Sequence, residues 1–191
     1  MEHSIKIGNH YYDVNCVHFS LEWEQDTGYM RELSCLSRFP NLKSVSFACS
    51  NLNDEGVAHV SDCREIEILN LQETEITNEG ITYLKKLKKL KYLRLKENYQ
   101  LTNACISALI AVEQLEDLQI HGTSVTEEGL SKLVVLKNLK DLTIDVRENN
   151  YTFEGLLKIS KEIPDCHILA KGDGMFYKGE FNGEWGHPIN R

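Results

Sequence analysis

The chain has 191 residues, 41% of them hydrophobic, and its 21 basic and 29 acidic side chains leave a net charge of −8. These values predict a single domain, 1–191, large enough to bury a continuous core. They argue against a nucleic-acid binder, which needs a basic surface. No apolar stretch approaches the roughly 18 residues of a membrane span, and the N-terminus lacks the apolar run of a secretory signal.

Residues 1–41 are predicted to form an N-terminal cap and a degenerate repeat. Two stretches, 4–7 and 11–16, flank a Gly-Asn turn signal and predict a short hairpin. One repeat period before the first clear repeat, Leu21 and Trp23 take the positions of strand residues. A helical stripe follows, closed by a proline, and consists of Leu33, Leu36 and Phe39.

Five similar units fill residues 42–163. They begin at Leu42, Ile66, Leu90, Leu115 and Leu139, with spacings of 24, 24, 25 and 24 residues. Each unit reads Leu-x-x-Leu-x-Leu, or a close variant, and ends in a trio of apolar residues. The apolar pair at positions four and six has the period of a strand, and the later trio, spaced by three, has that of a helix. Repetition at this period predicts a solenoid in which stacked units share one core.

Three further columns of residues recur in these units. Position nine carries short polar side chains that can hydrogen-bond the backbone of a turn: Ser50, Thr74, Asn98 and Thr123. Helix N-caps are predicted at Asn53, Thr77, Thr102 and Thr126. Glycines follow three residues after the cap at Gly56, Gly80, Gly129 and Gly155, with Cys105 in the third unit. Because glycine weakens a helix, its recurrence predicts close packing against the neighbouring coil.

The lysine-rich stretch 85–91 lies at the end of a predicted helix. Positive charge there suits the helix dipole, which favours a solvated outer face. The alternative is an outer docking surface for an acidic partner. The sequence leaves both interpretations open.

Residues 164–191 are predicted to form a C-terminal cap. The fifth unit is stretched between Asp145 and Tyr151, and a sixth strand is expected through residues 168–169. The aromatic, glycine-rich tail carries Asn182-Gly183 as its expected hairpin turn. Its stretch 177–181 also resembles one membrane-occupation repeat, but a single copy favours the capping interpretation.

The stretches 74–81 and 123–130 read Thr-Glu-Ile-Thr-Asn-Glu-Gly-Ile and Thr-Ser-Val-Thr-Glu-Glu-Gly-Leu. They resemble the Thr-x-Ile-Thr-x-x-Gly-Ile core of the bacterial variety of the leucine-rich repeat family, and the resemblance covers about residues 18–170. It implies an α/β solenoid with a concave parallel β-sheet and convex helices, capped at both ends. It also implies protein binding as the default role, although a fold alone does not establish a function.

Motifs for catalysis, metal binding and cofactor binding are missing from the sequence. It contains no Cys-x-x-Cys, His-Glu-x-x-His, phosphate-binding glycine loop or Gly-x-Ser-x-Gly. The Cys/His pairs at 16/18 and 166/167 lack the four converging ligands of a zinc site. We therefore expect no enzyme activity, no metal and no cofactor. Cys63 and Cys105 take buried repeat positions, which predicts free thiols in a reducing compartment and a cytoplasmic protein.

Positions three, five, seven and eight of each unit are predicted to point away from the core on the strand side. The candidate binding residues among them, here called the strand-side surface, are Ile68, Asn70, Gln72, Glu73, Tyr92, Arg94, Lys96, Glu97, Asp117, Gln119, His121, Asp141, Thr143 and Asp145. Acids outnumber bases here, so this surface should steer a basic protein toward it. Tyr92 beside Arg94 is the predicted anchor. His121 is expected to be exposed, as a contact or as an ordinary surface imidazole.

A compact, acidic chain without a second domain looks like an immunity protein of a bacterial toxin system, which binds and neutralises a toxin. In this interpretation the chain is a non-catalytic monomer when free and binds a basic toxin. It binds neither nucleic acid nor a membrane. The alternative is an adaptor or scaffold, such as a substrate adaptor of a ubiquitin ligase or an effector that bacteria inject into hosts. An adaptor normally carries a further docking segment, and none is evident in the sequence.

Overall fold

The computed structural model describes residues 4–21, 30–146 and 151–186. The strands are β1 Ser4–Ile7, β2 His10–Asp13, β3 His18–Ser20, β4 Ser44–Ser46, β5 Ile68–Asn70, β6 Tyr92–Arg94, β7 Asp117–Gln119, β8 Asp141–Ile144, β9 His167–Ala170, β10 Gly174–Tyr177 and β11 Glu180–Gly183. The α-helices are α1 Asp54–Val60, α2 Asn78–Ile81, α3 Ile106–Ile110, α4 Glu127–Lys132 and α5 Phe153–Glu162. Short 3₁₀ segments lie at Met30–Arg38, Thr82–Lys86, Asn103–Cys105 and Leu133–Val135.

One sheet contains nine of these strands. Strands β3 to β9 pair in chain order and in parallel, and β10 and β11 add to the end of the sheet as antiparallel strands. Equivalent repeat positions face each other across neighbouring strands: position four forms the row Phe19, Val45, Leu69, Leu93, Leu118, Leu142 and Ile168. The predicted parallel sheet and its repeat register are present.

The core lies between this sheet and the helical segments. Each residue of the position-four row is at most 1% exposed, and the position-six residues of the five units are at most 2% exposed. The helical stripes of the repeats are buried with them. No single unit could bury these side chains alone, so the stacking of units supplies the apolar burial that stabilises each one.

Position nine closes the turns as expected. The Asn98 side chain is fully buried, and its Nδ2 donates to the carbonyls of Leu71 and Leu95 at 2.7 and 2.9 Å. Its Oδ1 accepts from the Thr74 amide at 3.0 Å. In the fourth unit, the Thr123 hydroxyl donates to the carbonyl of Ile120, the residue after β7, at 2.7 Å. These side chains satisfy backbone groups that the turn leaves unpaired.

The helix starts show a link between coils that the sequence analysis missed. The residue after each cap hydrogen-bonds to the cap residue of the next coil: Asp54 accepts from the Thr77 amide at 2.8 Å, and Glu127 accepts from the Thr152 amide at 2.6 Å. A Cβ on the glycines that follow, such as Gly80, would collide with these acceptors. The predicted close packing is thus explained. Thr126 differs from the expectation, because its hydroxyl makes no cap bond and instead accepts from the Asn103 amide group at 2.8 Å.

The N-terminal register differs from the expectation. The hairpin of β1 and β2 is present, but in the first strand of the main sheet Phe19, not Leu21, pairs with Val45 at position four. Phe19 is fully buried, with its ring centroid 4.8 Å from that of Tyr12. The offset from Phe19 to Val45 is longer than the repeat period by two residues, which the extrapolated spacing could not reveal. Trp23 lies outside the described residues.

The tail hairpin also turns at a different place. The expected turn, Asn182-Gly183, lies within β11, and the chain turns at Lys178 and Gly179, which both have positive φ. This turn places Phe176 opposite Phe181, where both rings pack near Phe153. The two-residue turn with two positive φ values is the preferred hairpin geometry, and burial of the aromatic pair selects it. The expected sixth strand is present as β9.

All six cysteines lie in the described residues and are free thiols. Burial raises the pKa of Cys63 to about 12 and that of Cys105 to about 11. Such thiols are inert at neutral pH, since the thiolate is the reactive form. Within the described ranges, none of the helices has the length and apolar character needed to span a membrane.

Candidate protein-binding surface

The strand-side surface is built by the same register that aligns the core. Successive side chains of a strand point to opposite faces, so positions three and five stand opposite the buried position four. Position three forms a row of seven side chains: His18, Ser44, Ile68, Tyr92, Asp117, Asp141 and His167. Adjacent members lie on strands about 4.8 Å apart. The sheet therefore presents a continuous row of side chains whose chemistry changes along the chain.

The structure leaves most predicted members of this surface accessible. Ile68 and Tyr92 are 44% and 43% exposed and lie side by side on β5 and β6, with Arg94 exposed two residues further on. The other predicted residues, apart from His121, are exposed or half-buried: Asn70, Gln72, Glu73, Lys96, Glu97, Asp117, Gln119, Asp141, Thr143 and Asp145.

The expected exposure of His121 is wrong. Its side chain is 6% exposed, and among the described residues its Nδ1 has no hydrogen-bond partner. Strand β7 ends at Gln119 and the chain turns at Gly122, so position seven no longer follows the alternation of the strand. Burial lowers the pKa of His121, and the nearby Lys171 and Lys96 lower it further. These effects favour the neutral form of the imidazole.

Position eight forms a column of left-handed residues that the sequence analysis missed. Cys49, Glu73 and Glu97 have φ values of 59°, 51° and 60°, and Gly122 has 69°. This conformation is unfavourable for residues other than glycine, so the adjoining strands must hold it in place. The only sequence signal was the glycine in the fourth unit. The column borders an open cleft of about 380 Å³.

A second cleft lies at the C-terminal end of the surface. It encloses about 340 Å³ and is lined by Asp117, Asp141, Leu142, Thr143, His167, Leu169 and Met175, here called the Asp117–Asp141 pocket. The two aspartates stand opposite each other on β7 and β8, and Asp141 Oδ1 lies 3.4 Å from His167 Nδ1. The His167 ring stacks on Tyr177 with centroids 4.4 Å apart. One wall is therefore acidic and the other apolar.

The carboxylate of Asp117 is affected by this setting. Burial raises its pKa, and the neighbouring Asp141 adds to the rise. A hydrogen bond from Gln119 and the charge of Arg94 act in the opposite direction without cancelling it. Burial and the neighbouring acid thus disfavour the charged form of Asp117.

Besides the position-four core residue Leu142, three residues of this pocket were not among the predicted site residues: His167, Leu169 and Met175. The expected sixth strand through residues 168–169 was a partial signal for the first two. The offset from Asp141 to His167 is longer than the 24-residue period by two residues, so only the pairing of β8 with β9 places them at positions three and five. Met175 gave no such signal. It enters the surface because β10 pairs with β9 in antiparallel fashion and places Met175 opposite Leu169.

Three lysines of the lysine-rich stretch 85–91 pair with acids of neighbouring coils. Lys86 Nζ lies 2.9 Å from Asp62, Lys89 pairs with Glu65, and Lys91 Nζ lies 2.8 Å from Glu116. Hydrogen bonds from Lys140 and Lys91 lower the pKa of Glu116 to about 2. These pairs support the interpretation of a solvated outer face.

Solved structures with the same architecture include two internalins of Listeria monocytogenes. Internalin C2 matches with a TM-score of 0.55 at 20% identity over 83% of this chain and 69% of its own. Internalin F matches with 0.55 at 16% identity over 80% and 46%. The protein in a TLR13–ssRNA13 complex matches with 0.61 at 20% identity over 81% and 22%. The chain has a leucine-rich-repeat-type α/β fold. No protein-family model matches the sequence, and at these identities the likeness concerns the fold alone.

Proposed function

We propose that this chain is a non-catalytic protein-binding domain and that the strand-side surface, extended by the Asp117–Asp141 pocket, is its interface. The observation that carries the proposal is the exposed pair Ile68 and Tyr92, which lies within a row of otherwise polar side chains. Contiguous apolar side chains rimmed by polar groups are typical of protein interfaces. Tyrosine and arginine are enriched among residues that dominate binding energy, and Arg94 lies beside Tyr92 in the same strand.

The charge of the surface supports a basic partner. Glu73, Glu97, Asp117, Asp141 and Asp145 place carboxylates along it, and the whole chain carries a net charge of −8. Complementary charge raises association rates and disfavours wrong partners. The same acids oppose phosphate groups, so we propose a protein rather than a nucleic acid, although the TLR13 structure contains an RNA.

The finer proposal is an immunity protein that binds a basic toxin and blocks it. Such a role requires tight binding by a preformed surface and no chemistry. Among the described residues no group of three or more His, Cys, Asp or Glu side chains is placed to hold a metal ion, and the buried thiols are unreactive at neutral pH. Six free cysteines favour a reducing compartment, and on this ground we propose a cytoplasmic protein. We also propose that the chain is a monomer when free.

The test is affinity capture from cells of the source organism, followed by reconstitution. Native chain, Tyr92→Ala and the double variant Asp117→Lys/Asp141→Lys are used as baits, and bound proteins are identified by mass spectrometry. The true partner is expected with the native bait and depleted with both variants. With the purified partner, the double variant is expected to slow association by about tenfold or more, because steering is lost.

The matched control is Glu113→Lys/Glu162→Lys, which makes the same charge change at two exposed positions away from the strand-side surface. It should capture the partner as well as the native chain does. If the partner is depleted with this control variant instead, the interface lies on the helical side. If the captured partner has an enzyme activity that the chain inhibits in equal amounts, the immunity role is supported. A partner that stays active and recruits a third protein supports the adaptor.

A further inference from the structure

The geometry points to an arginine side chain of the partner as the occupant of the Asp117–Asp141 pocket: its guanidinium lies between the two carboxylates, and its methylenes lie against Leu169 and Met175. This inference rests on the proposed protein-binding function and names the chemistry of one contact. The pocket is the place on the strand-side surface where charge and apolar walls meet in one cavity.

The size of the pocket suits one long side chain. Its volume of about 340 Å³ lies at the lower end of the roughly 300–1,000 Å³ found for ligand sites. Leu169 is 44% exposed although it is a large apolar residue, and Met175 stands opposite it on β10. These two side chains gain by contact with an aliphatic stem, which long cationic side chains provide below their charged head.

The two carboxylates favour a cationic occupant. Asp117 and Asp141 are opposite each other on neighbouring parallel strands and point to the same face. The burial of Asp117 and, after it, the charge of Asp141 raise the pKa of the Asp117 carboxyl, even with Arg94 close enough to lower it. A cation placed between the two carboxylates favours the charged form of Asp117 and relieves their repulsion.

Arginine fits this site better than lysine does. Its planar guanidinium offers five donors in a fixed fork, so it can bond both carboxylates at once, whereas lysine is a point charge. The His167 ring is held by stacking on Tyr177, with an interplanar angle of 22°, and lines the pocket. Guanidinium groups stack on flat rings of this kind.

The test is an NMR titration of the ¹⁵N-labelled chain with the peptide acetyl-Gly-Arg-Gly-amide. The amides of Asp141 and Leu169 are expected to shift saturably, with a dissociation constant on the order of millimolar because one contact is made. The neutral isostere acetyl-Gly-citrulline-Gly-amide should not bind, and the lysine peptide should bind measurably more weakly. Equal binding of the arginine and citrulline peptides overturns the inference, and so does a lysine peptide that binds as tightly as arginine.

Two variants localise the effect. Asp117→Asn/Asp141→Asn preserves shape and is expected to weaken the arginine peptide by about tenfold, equivalent to about 1.4 kcal/mol. Glu113→Gln/Glu162→Gln removes the same charge at two exposed positions away from the strand-side surface and should leave the affinity unchanged. If both double variants lose the same affinity for the arginine peptide, the peptide is attracted by the overall acidic charge of the chain, and the inference is overturned. Peptide-independent shifts of the pocket amides that grow with protein concentration mean a second copy as occupant and also overturn it.

These outcomes separate this inference from the proposed function. If the captured partner binds Asp117→Asn/Asp141→Asn as tightly as the native chain but loses affinity for Tyr92→Ala, the arginine contact is wrong and the protein-binding role stands. If no partner depends on the strand-side surface, the proposed function fails whatever the peptide does.

Discussion

Positions three and four of each repeat are neighbours in the chain, yet they face opposite sides of the same sheet. Position four of the five units carries Val45, Leu69, Leu93, Leu118 and Leu142, each at most 1% exposed. Position three carries Ser44, Ile68, Tyr92, Asp117 and Asp141, all at least partly exposed. The backbone pairing is identical for both rows.

The difference shows where each row is constrained. A buried position must fill the space between neighbouring coils at close to crystal density, so one kind of side chain recurs. An outward position meets solvent and can differ from one unit to the next without loss of stability. The outward row is therefore the place where a repeat protein acquires specificity, and here it changes from neutral at β4 to acidic at β7 and β8.

The largest expected effect comes from breaking the inward row. Leu118→Ala removes a fully buried side chain in the middle of the sheet and should lower the free energy of unfolding by about 2–5 kcal/mol. The substitution Asp117→Ala, at the neighbouring outward-facing position, should change the free energy of unfolding by about 0.5 kcal/mol or less. Urea denaturation followed by circular dichroism measures both. Similar losses from the two changes would mean that the two faces are not distinct.

A smaller loss is expected at the end of the strand, where Asn98 closes a turn. Asn98→Ala leaves the Leu71 carbonyl and the Thr74 amide without this partner in a buried place, at a cost of about 1–3 kcal/mol. Asn70→Ala is the matched control, because Asn70 is half-buried on the outward side and accepts one local bond, from the Gln72 amide at 3.1 Å. In the same denaturation experiment, Asn70→Ala should lower the free energy of unfolding by less than Asn98→Ala does. If the two asparagines prove equally costly, burial of the Asn98 network is not what stabilises the turn.

The buried strand positions of each unit and the position-nine residues that close the turns were predictable from the sequence. Leu93 and Leu95 alternate, Asn98 follows at a constant offset, and the same offsets recur in other units. Burial imposes both patterns, and a pattern that burial imposes is visible wherever the period holds. The outward row was located by the same logic, since Tyr92 and Asp117 follow from the positions of their buried neighbours.

The remaining features depend on contacts outside the repeat period. Phe19 takes its position through packing with Tyr12, and the Lys178-Gly179 turn is selected by the pairing of Phe176 with Phe181. Met175 reaches the pocket through the antiparallel strand β10. In each case the partner residue lies in a non-repeating end of the chain. A period carries no information about such pairings.

His121 lies at the boundary of the inward and outward faces of the sheet. Its effect on stability, through protonation, is the smallest one expected. Its pKa is lowered in the folded chain, so below the unfolded value of about 6.5 the unfolded chain binds more protons. The contribution of His121 to the free energy of unfolding is therefore expected to be fully present above that value. It should fall as the pH drops below it, by at most about 1.4 kcal/mol per pH unit for one group. Urea denaturation of the native chain at pH 7.5, 6.5 and 5.5 measures this slope.

His121→Gln isolates the contribution of the imidazole, because the amide does not titrate in this range. The variant should lose part of the pH slope, whereas His59→Gln, a change at a half-buried histidine of helix α1, should keep it. Lys96, Lys171, Glu97 and Asp145 are the charges that act on His121. The two lysines oppose its protonation together with burial, and the acids do not offset them. An unchanged slope in His121→Gln would mean that the imidazole gains a counter-charge or water when protonated, and position seven would then belong to the outward face after all.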